Sequence, residues 1–279
     1  MRMRVDDGYG RPAVVVIGSG EVGSAIAVAL QRAGCGVVIC DKVDPAWPRR
    51  GMAFTNAWYI GNAELHGEGA VFCASVKSIP AVLDHRRLIA ATTWSWVGVA
   101  GPLRPIAVID ATLRPSTEGS IFKSRGAEEA LLMVVGARND DPEVDVFVDP
   151  PTDGGEPHVV VHATRSGRFA TRRRIGDQVR EGEVIAAVGA LPVLAPTAGV
   201  LRGLSAHGSR ITEGAEIVEV DPRGDSVLCF GIEERALAVG RKVLMALAIR
   251  GLAPAAKEAG HYPSELPRAS ERYFDGTSD

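Results

Sequence analysis

AVVVIGSGEVGSAIAVALQRAGCGVVICD, residues 13–41, is the most informative run in the chain. Ala13 to Ile17 is an unbroken apolar, β-branched segment, as expected of a parallel strand buried on both faces. Gly18, Gly20 and Gly23 follow at once in a G-x-G-x-x-G spacing. Ser24 to Arg32 then repeats Ile26, Leu30 and Ala33 near the helical period, and Gly34 or Gly36 supplies the stop. Val37 to Cys40 is a second apolar strand, and it ends in Asp41. Strand, glycine turn, helix, strand and acid occur in the order that gives the motif its meaning.

Each position in the unit has a physical job. Gly18 lets the chain turn sharply, Gly20 lets backbone approach a pyrophosphate, and Gly23 lets the helix pack on the sheet. The helix start at Ser19, Gly20, Glu21, Val22 and Gly23 offers free N–H groups to phosphate. Asp41 can accept from ribose hydroxyls and would repel a 2′-phosphate, which favours NAD over NADP. Glu21 sets a negative charge beside the phosphate position, so it must point away or be paired. The expectation is an α/β fold: a Rossmann-like parallel sheet domain, then a small biotinyl/lipoyl-like β-barrel and a C-terminal helix. Such a unit need not hold a nucleotide, because the fold hosts many functions.

The chain has 279 residues, 46% of them hydrophobic, enough for two cores. A net charge of -3 gives no reason to expect nucleic acid, and no apolar run suggests a membrane span. Residues 1–12 lack the apolar core of a signal peptide. Cys35, Cys40, Cys73 and Cys229 form no C-x-x-C pair, which fits reduced thiols in the cytoplasm. Cysteine and histidine are not clustered at metal-ligand spacing, and no metal is expected. The Arg172–Arg174 triplet reads as a solvated turn.

Beyond Asp41, Arg49 and Arg50 either pair with phosphate or cover the sheet edge. Short strands are expected at Ala57 to Ile60, Leu88 to Thr92, Ile106 to Asp110 and Val144 to Val148. Val71 to Val82 holds a strand or a short helix, and Ala127 to Gly136 turns from helix into strand. Thr92, Thr93 and Asp110 lie at carboxyl ends of strands, where ligands of open α/β sheets bind, although Asp110 reads more simply as a turn acid. Residues 149–157, DPPTDGGEP, form a linker, so residues 1–150 are expected as the nucleotide-binding domain.

A repeat follows. IGDQVREGEVIAAV (residues 175–188) and GSRITEGAEIVEV (residues 208–220) share one pattern of short strands and glycine turns. It looks like a biotinyl or lipoyl carrier domain over residues 158–222. No lysine occurs between Lys123 and Lys242, so neither biotin nor lipoate is expected on it. Ile232, Ala236, Val239, Val243, Leu244 and Leu247 place an amphipathic helix in residues 225–252, packing back on the first domain. Residues 253–279 are expected to be poorly ordered.

The chain resembles the YqeB-type accessory proteins of selenium-dependent molybdenum hydroxylase systems, related in role to xanthine dehydrogenase maturation factors. The likeness lies in GSGEVGSAIAVALQRAG (residues 18–34), PRRGMAFTNAWY (residues 48–59) and residues 175–247. Residues 64–167 carry no counterpart of the family's G-P-G-F segment. The resemblance implies maturation of a molybdenum hydroxylase, with that enzyme as client and a molybdopterin-type nucleotide or NAD as the cofactor held. An NAD-dependent oxidoreductase is the alternative, but none of the six histidines lies in a catalytic motif. Homo-oligomerisation stays open.

Overall fold

The computed structural model describes residues 11–113, 121–122, 130–136, 141–151 and 157–252. The expected helical start at 127–129, most of the 149–157 linker and the 253–279 tail lie outside them.

The chain opens with β1 (Ala13–Ile17), α1 (Glu21–Arg32) and β2 (Gly36–Cys40). Gly23 has no side chain for a plain reason: a Cβ there would sit 2.0 Å from the Gly18 carbonyl oxygen. Gly18 itself has φ +103, a conformation that side chains disfavour. After β2 come α2 (Ala57–Ile60), β3 (Asn62–Leu65), β4 (Glu68–Phe72), α3 (Ile79–Leu83) and β5 (Leu88–Thr92). Then follow α4 (Trp96–Leu103), β6 (Ala107–Asp110), β7 (Leu131–Val135) and β8 (Val146–Val148). The strand expected at Ala57 to Ile60 is thus a helical turn, and the strand begins two residues later.

These eight strands form one sheet in the order β3-β4-β5-β2-β1-β6-β7-β8. Seven run parallel, and edge strand β3 runs antiparallel to β4. The reversal comes from a two-residue turn at His66 and Gly67, both at positive φ. A connection that short can only return the chain antiparallel. The sheet is therefore mixed.

The repeat region holds β9 (Val159–His162), β10 (Gly167–Ala170), β11 (Gln178–Val179), β12 (Val184–Val188) and β13 (Leu191–Leu194). It continues with β14 (Gly199–Leu204), β15 (Arg210–Ile211) and β16 (Glu216–Asp221). They form two four-stranded antiparallel sheets, β13-β12-β10-β15 and β11-β14-β16-β9, packed over a shared core of Phe169, Ile185, Leu201 and Val218. The two repeats are placed reciprocally: β11 and β16 lie in one sheet, β12 and β15 in the other. Glu181-Gly182 and Glu213-Gly214 make the turns that pass the chain between sheets, with both glycines at positive φ.

The chain ends its described part with α5 (Glu234–Ile249). Its buried face, Ala236, Val239, Val243 and Leu247, joins the core on the α1 side of the large sheet. Gly240 makes the helix contact close, since a Cβ there would lie 2.9 Å from both the Ala25 oxygen and the Ala29 Cβ. The other face of the sheet is covered by α3 and α4 through Ile79, Leu83, Val99 and Leu103.

The expected architecture is corrected on this topology. A Rossmann-like parallel domain followed by a biotinyl/lipoyl-like barrel is not what the chain builds. The large sheet is mixed, and the repeat makes two separate sheets rather than a closed barrel; α5 packs on the core of the large sheet.

Gly23→Ala should cost about 3 kcal/mol through overpacking against the turn. Gly101→Ala, where an added Cβ meets nothing within 4 Å, should change stability little. Urea midpoints of the two variants check this; equal midpoints would contradict the packing role assigned to Gly23.

Candidate functional site

The carboxyl end of the large sheet faces the two-sheet unit across a cleft of about 380 Å³. Segments far apart in the chain build it. The first turn of α1 supplies Glu21 and Val22, and the loop after β2 supplies Trp47, Pro48 and Arg49. The start of β9 supplies His158 and Val160, β16 supplies Glu216 and Glu219, and α5 supplies Arg235 and Ala236. Leu113, a non-glycine residue at φ 55, stands beyond the end of β6 and also lines the cleft.

Charge holds the walls together. Arg49 Nε donates to Glu219 Oε2 at 2.5 Å, and its Nη1 lies 3.6 Å from Glu21 Oε2. The other Glu21 oxygen accepts from the Glu233 backbone N–H at 3.2 Å. Behind the cleft Arg202, only 1% exposed, faces Glu219 at 3.8 Å, Asp221 at 3.7 Å and the Glu233 carboxylate in closer contact. Glu233 also pairs with Arg235, and Asp221 with Arg223 at 2.5 Å. The hydrogen bonds from Arg223 hold the Asp221 carboxyl below its ordinary range. Burial pushes the Glu21 carboxyl up, against the opposing pull of Arg49, Arg235 and Arg202.

His158 stands beside this network, its Nε2 3.5 Å from Arg49 Nη2. A guanidinium only donates, so Nε2 can serve only as the acceptor in this contact.

The glycine turn is occupied by the chain itself. Trp47 packs on Gly20, and a Cβ on Gly20 would lie 3.2 Å from the indole ring. Asp41 is also engaged, accepting at 2.7 Å from the Ser19 and Lys42 backbone N–H groups. Ser19 is fully buried, and its carbonyl accepts from Thr55 Oγ1 at 2.9 Å and Ser24 Oγ at 3.1 Å. With an indole on the turn and carboxylates on both sides of it, this is not an open Rossmann cradle for NAD, and that expectation is corrected here. The structure groups Glu21, Val22 and Arg49 in the cleft. It leaves Gly18, Ser19 and Gly23 in the packing beneath it, Gly20 under Trp47, and Asp41 at the end of β2.

Arg50 points elsewhere. Its Nε donates to the Leu204 carbonyl at 2.9 Å, it bonds Asn56, and it lies 6.0 Å from the Tyr59 ring centroid. It therefore ties the loop to β14. Thr92 is buried and donates to the Cys73 carbonyl at 2.9 Å. Asp110 accepts from the Thr112 backbone and hydroxyl at 3.0 and 2.6 Å, which is the work of a turn acid. Thr93 is half-buried beyond the end of β5. Cys229 is fully buried, and burial raises its thiol, so it acts as a small apolar residue. Trp47 and His158 stand in no motif, and Glu216, Glu219 and Arg235 lie in the repeat and the helix that follows it without any spacing that marks them as site residues. They come together only because β9, β16 and α5 return to the end of the large sheet. Among the described residues, no group of three or more His, Cys, Asp or Glu could hold a metal ion, and no helix is long and apolar enough to cross a membrane.

No protein-family model matches the chain. In an alignment of 272 positions that covers 88% of this chain, it is 26% identical to the uncharacterized protein YqeB of Escherichia coli (strain K12). That supports the YqeB-type likeness and assigns no activity. The chain spans about half the length of this relative, 49%. Among solved structures, it is similar to an aspartoacylase family protein from Mesorhizobium loti, with 10% identity, 76% of this chain and 86% of that one covered, and a TM-score of 0.24. It is also similar to a succinylglutamate desuccinylase/aspartoacylase from Rhodobacter sphaeroides, with 12% identity, coverage of 77% and 87%, and a TM-score of 0.26. At such TM-scores the likeness carries no argument about what this chain does.

Two outcomes test the charge network. Arg202→Met strands buried carboxylates and should cost about 3–5 kcal/mol, read from chemical denaturation. Glu21 has a raised folded-state value, so its contribution to stability is full at acid pH and is lost as pH rises through that value. Glu21→Gln should therefore raise the melting temperature at pH 7–8. The gain should vanish at acid pH, where Glu21 is protonated in both folded and unfolded chains. A gain that grows on acidification would reverse the assignment.

Proposed function

We propose that this protein is an accessory protein of a molybdenum hydroxylase system and that it works through a small ligand held in the cleft. One observation carries the reading. The three sequence blocks that resemble the YqeB-type proteins lie far apart in the chain, yet all reach this one cleft. Residues 18–34 contribute Glu21 and Val22, residues 48–59 contribute Pro48 and Arg49, and residues 175–247 contribute Glu216, Glu219, Arg235 and Ala236. Their meeting on one concave, charged surface supports a shared ligand site. The likeness to YqeB over most of the chain supports the YqeB-type resemblance from which the reading starts.

The repeat unit then serves as one wall of the site and as the element that orients Glu216 and Glu219. The hydroxylase client is the macromolecular partner, and the ligand is what the accessory protein presents or senses. His158 and Trp47 are the residues to perturb first, because both are half-buried and neither anchors Arg202.

In cells producing a molybdenum hydroxylase, Trp47→Ala and His158→Ala should each lower its activity at least tenfold. The amounts of client and accessory protein should stay unchanged. Full hydroxylase activity with both variants would remove the cleft from the function.

A further inference from the structure

The lining of the cleft specifies more than the presence of a ligand. Three carboxylates, Glu21, Glu216 and Glu219, stand against two guanidiniums, Arg49 and Arg235. Both guanidiniums already face carboxylates, Arg49 with Glu219 and Glu21, and Arg235 with Glu233. A phosphate or pyrophosphate would enter a site whose positive charge is engaged and whose formal balance is negative, at a real electrostatic cost. Glu216 is different from its neighbours. Its side chain is 53% exposed at the rim, where it reaches His162 at 3.9 Å. It is the carboxylate an incoming group meets first. Trp47 contributes an aromatic wall, and Val22, Pro48, Val160 and Ala236 contribute apolar ones. A volume of about 380 Å³ suits a small molecule rather than a dinucleotide.

We infer that the cleft takes a planar, amino-bearing nitrogen heterocycle, neutral or singly cationic and without a phosphate group, stacked on Trp47 and donating to Glu216. This rests on the cleft being the functional site, and it names the chemistry of the occupant. An exocyclic amino group or ring N–H supplies donors for the carboxylate, where a phosphate would supply only acceptors. A flat π-system matches the indole, and a cationic form gains a further attraction to its face. The apolar walls remove the ring from water without stranding a charge.

The test is calorimetry on the full chain with three probes: adenine, adenosine diphosphate and inorganic pyrophosphate. Adenine should bind, its diphosphate at least tenfold more weakly, and pyrophosphate not measurably. Glu216→Gln and Trp47→Leu should each weaken adenine at least fivefold, with circular dichroism and melting temperature unchanged. Tight binding of pyrophosphate, or adenine binding indifferent to both substitutions, would overturn the inference. Absence of adenine binding would also overturn it. If Trp47→Ala and His158→Ala still abolish client hydroxylase activity in that case, the accessory reading stands and only the ligand class falls.

Discussion

Arg202 is a guanidinium with almost no contact with water, and the remaining architecture has to satisfy it. It projects from β14 toward Glu219 and Asp221 of its own sheet and toward Glu233 at the start of α5. A guanidinium keeps its charge, so left alone in the interior it would unfold its surroundings, and these acids cannot drift from it. The same acids reach outward. Glu219 holds Arg49, Arg49 approaches Glu21 on α1, and Glu233 holds Arg235. Charge alternates along this chain of contacts from the large sheet through the loop to the two-sheet unit and α5. The cleft is consequently formed before any ligand arrives, because its walls are held by ion pairs within its lining and by the Arg202 contacts behind it.

The glycine turn shows how one motif can be satisfied in two ways. Gly23 is needed wherever a helix must start against the carbonyl of Gly18, whatever the turn binds. Gly20 allows a close approach, and in this chain the approaching group is Trp47. The rigid segment Asp44-Pro45-Ala46-Trp47-Pro48 sets the indole there, with Tyr59 donating to the Pro45 carbonyl and Leu204 donating to that of Pro48. Steric permission at Gly20 was visible as spacing. The identity of the group that uses it depends on a loop whose position is decided by contacts with β14. The open concave surface at this end of the sheet is therefore the neighbouring cleft rather than the turn.

Local pattern determined a large share of this protein. β1, α1, β2, β5, β6 and α5 follow from apolar runs and helical periodicity, because burial of such residues admits few alternatives. The repeat at residues 175–188 and 208–220 announced short strands with glycine turns, and both Glu-Gly turns are there. Arg49 and Glu21 were visible as charges near the glycine turn. Only the tertiary structure decided the rest. Whether the repeat closes into a barrel or opens into two sheets depends on pairings between β10 and β15 and between β16 and β9, which no local run encodes. The antiparallel β3 depended on a two-residue turn hidden in ordinary polar sequence. His158, Glu216, Glu219 and Arg235 became neighbours of Glu21 because a buried guanidinium drew α5 and β16 to the end of the large sheet. Coulombic pairing in a dry interior acts through space, and sequence spacing does not register it.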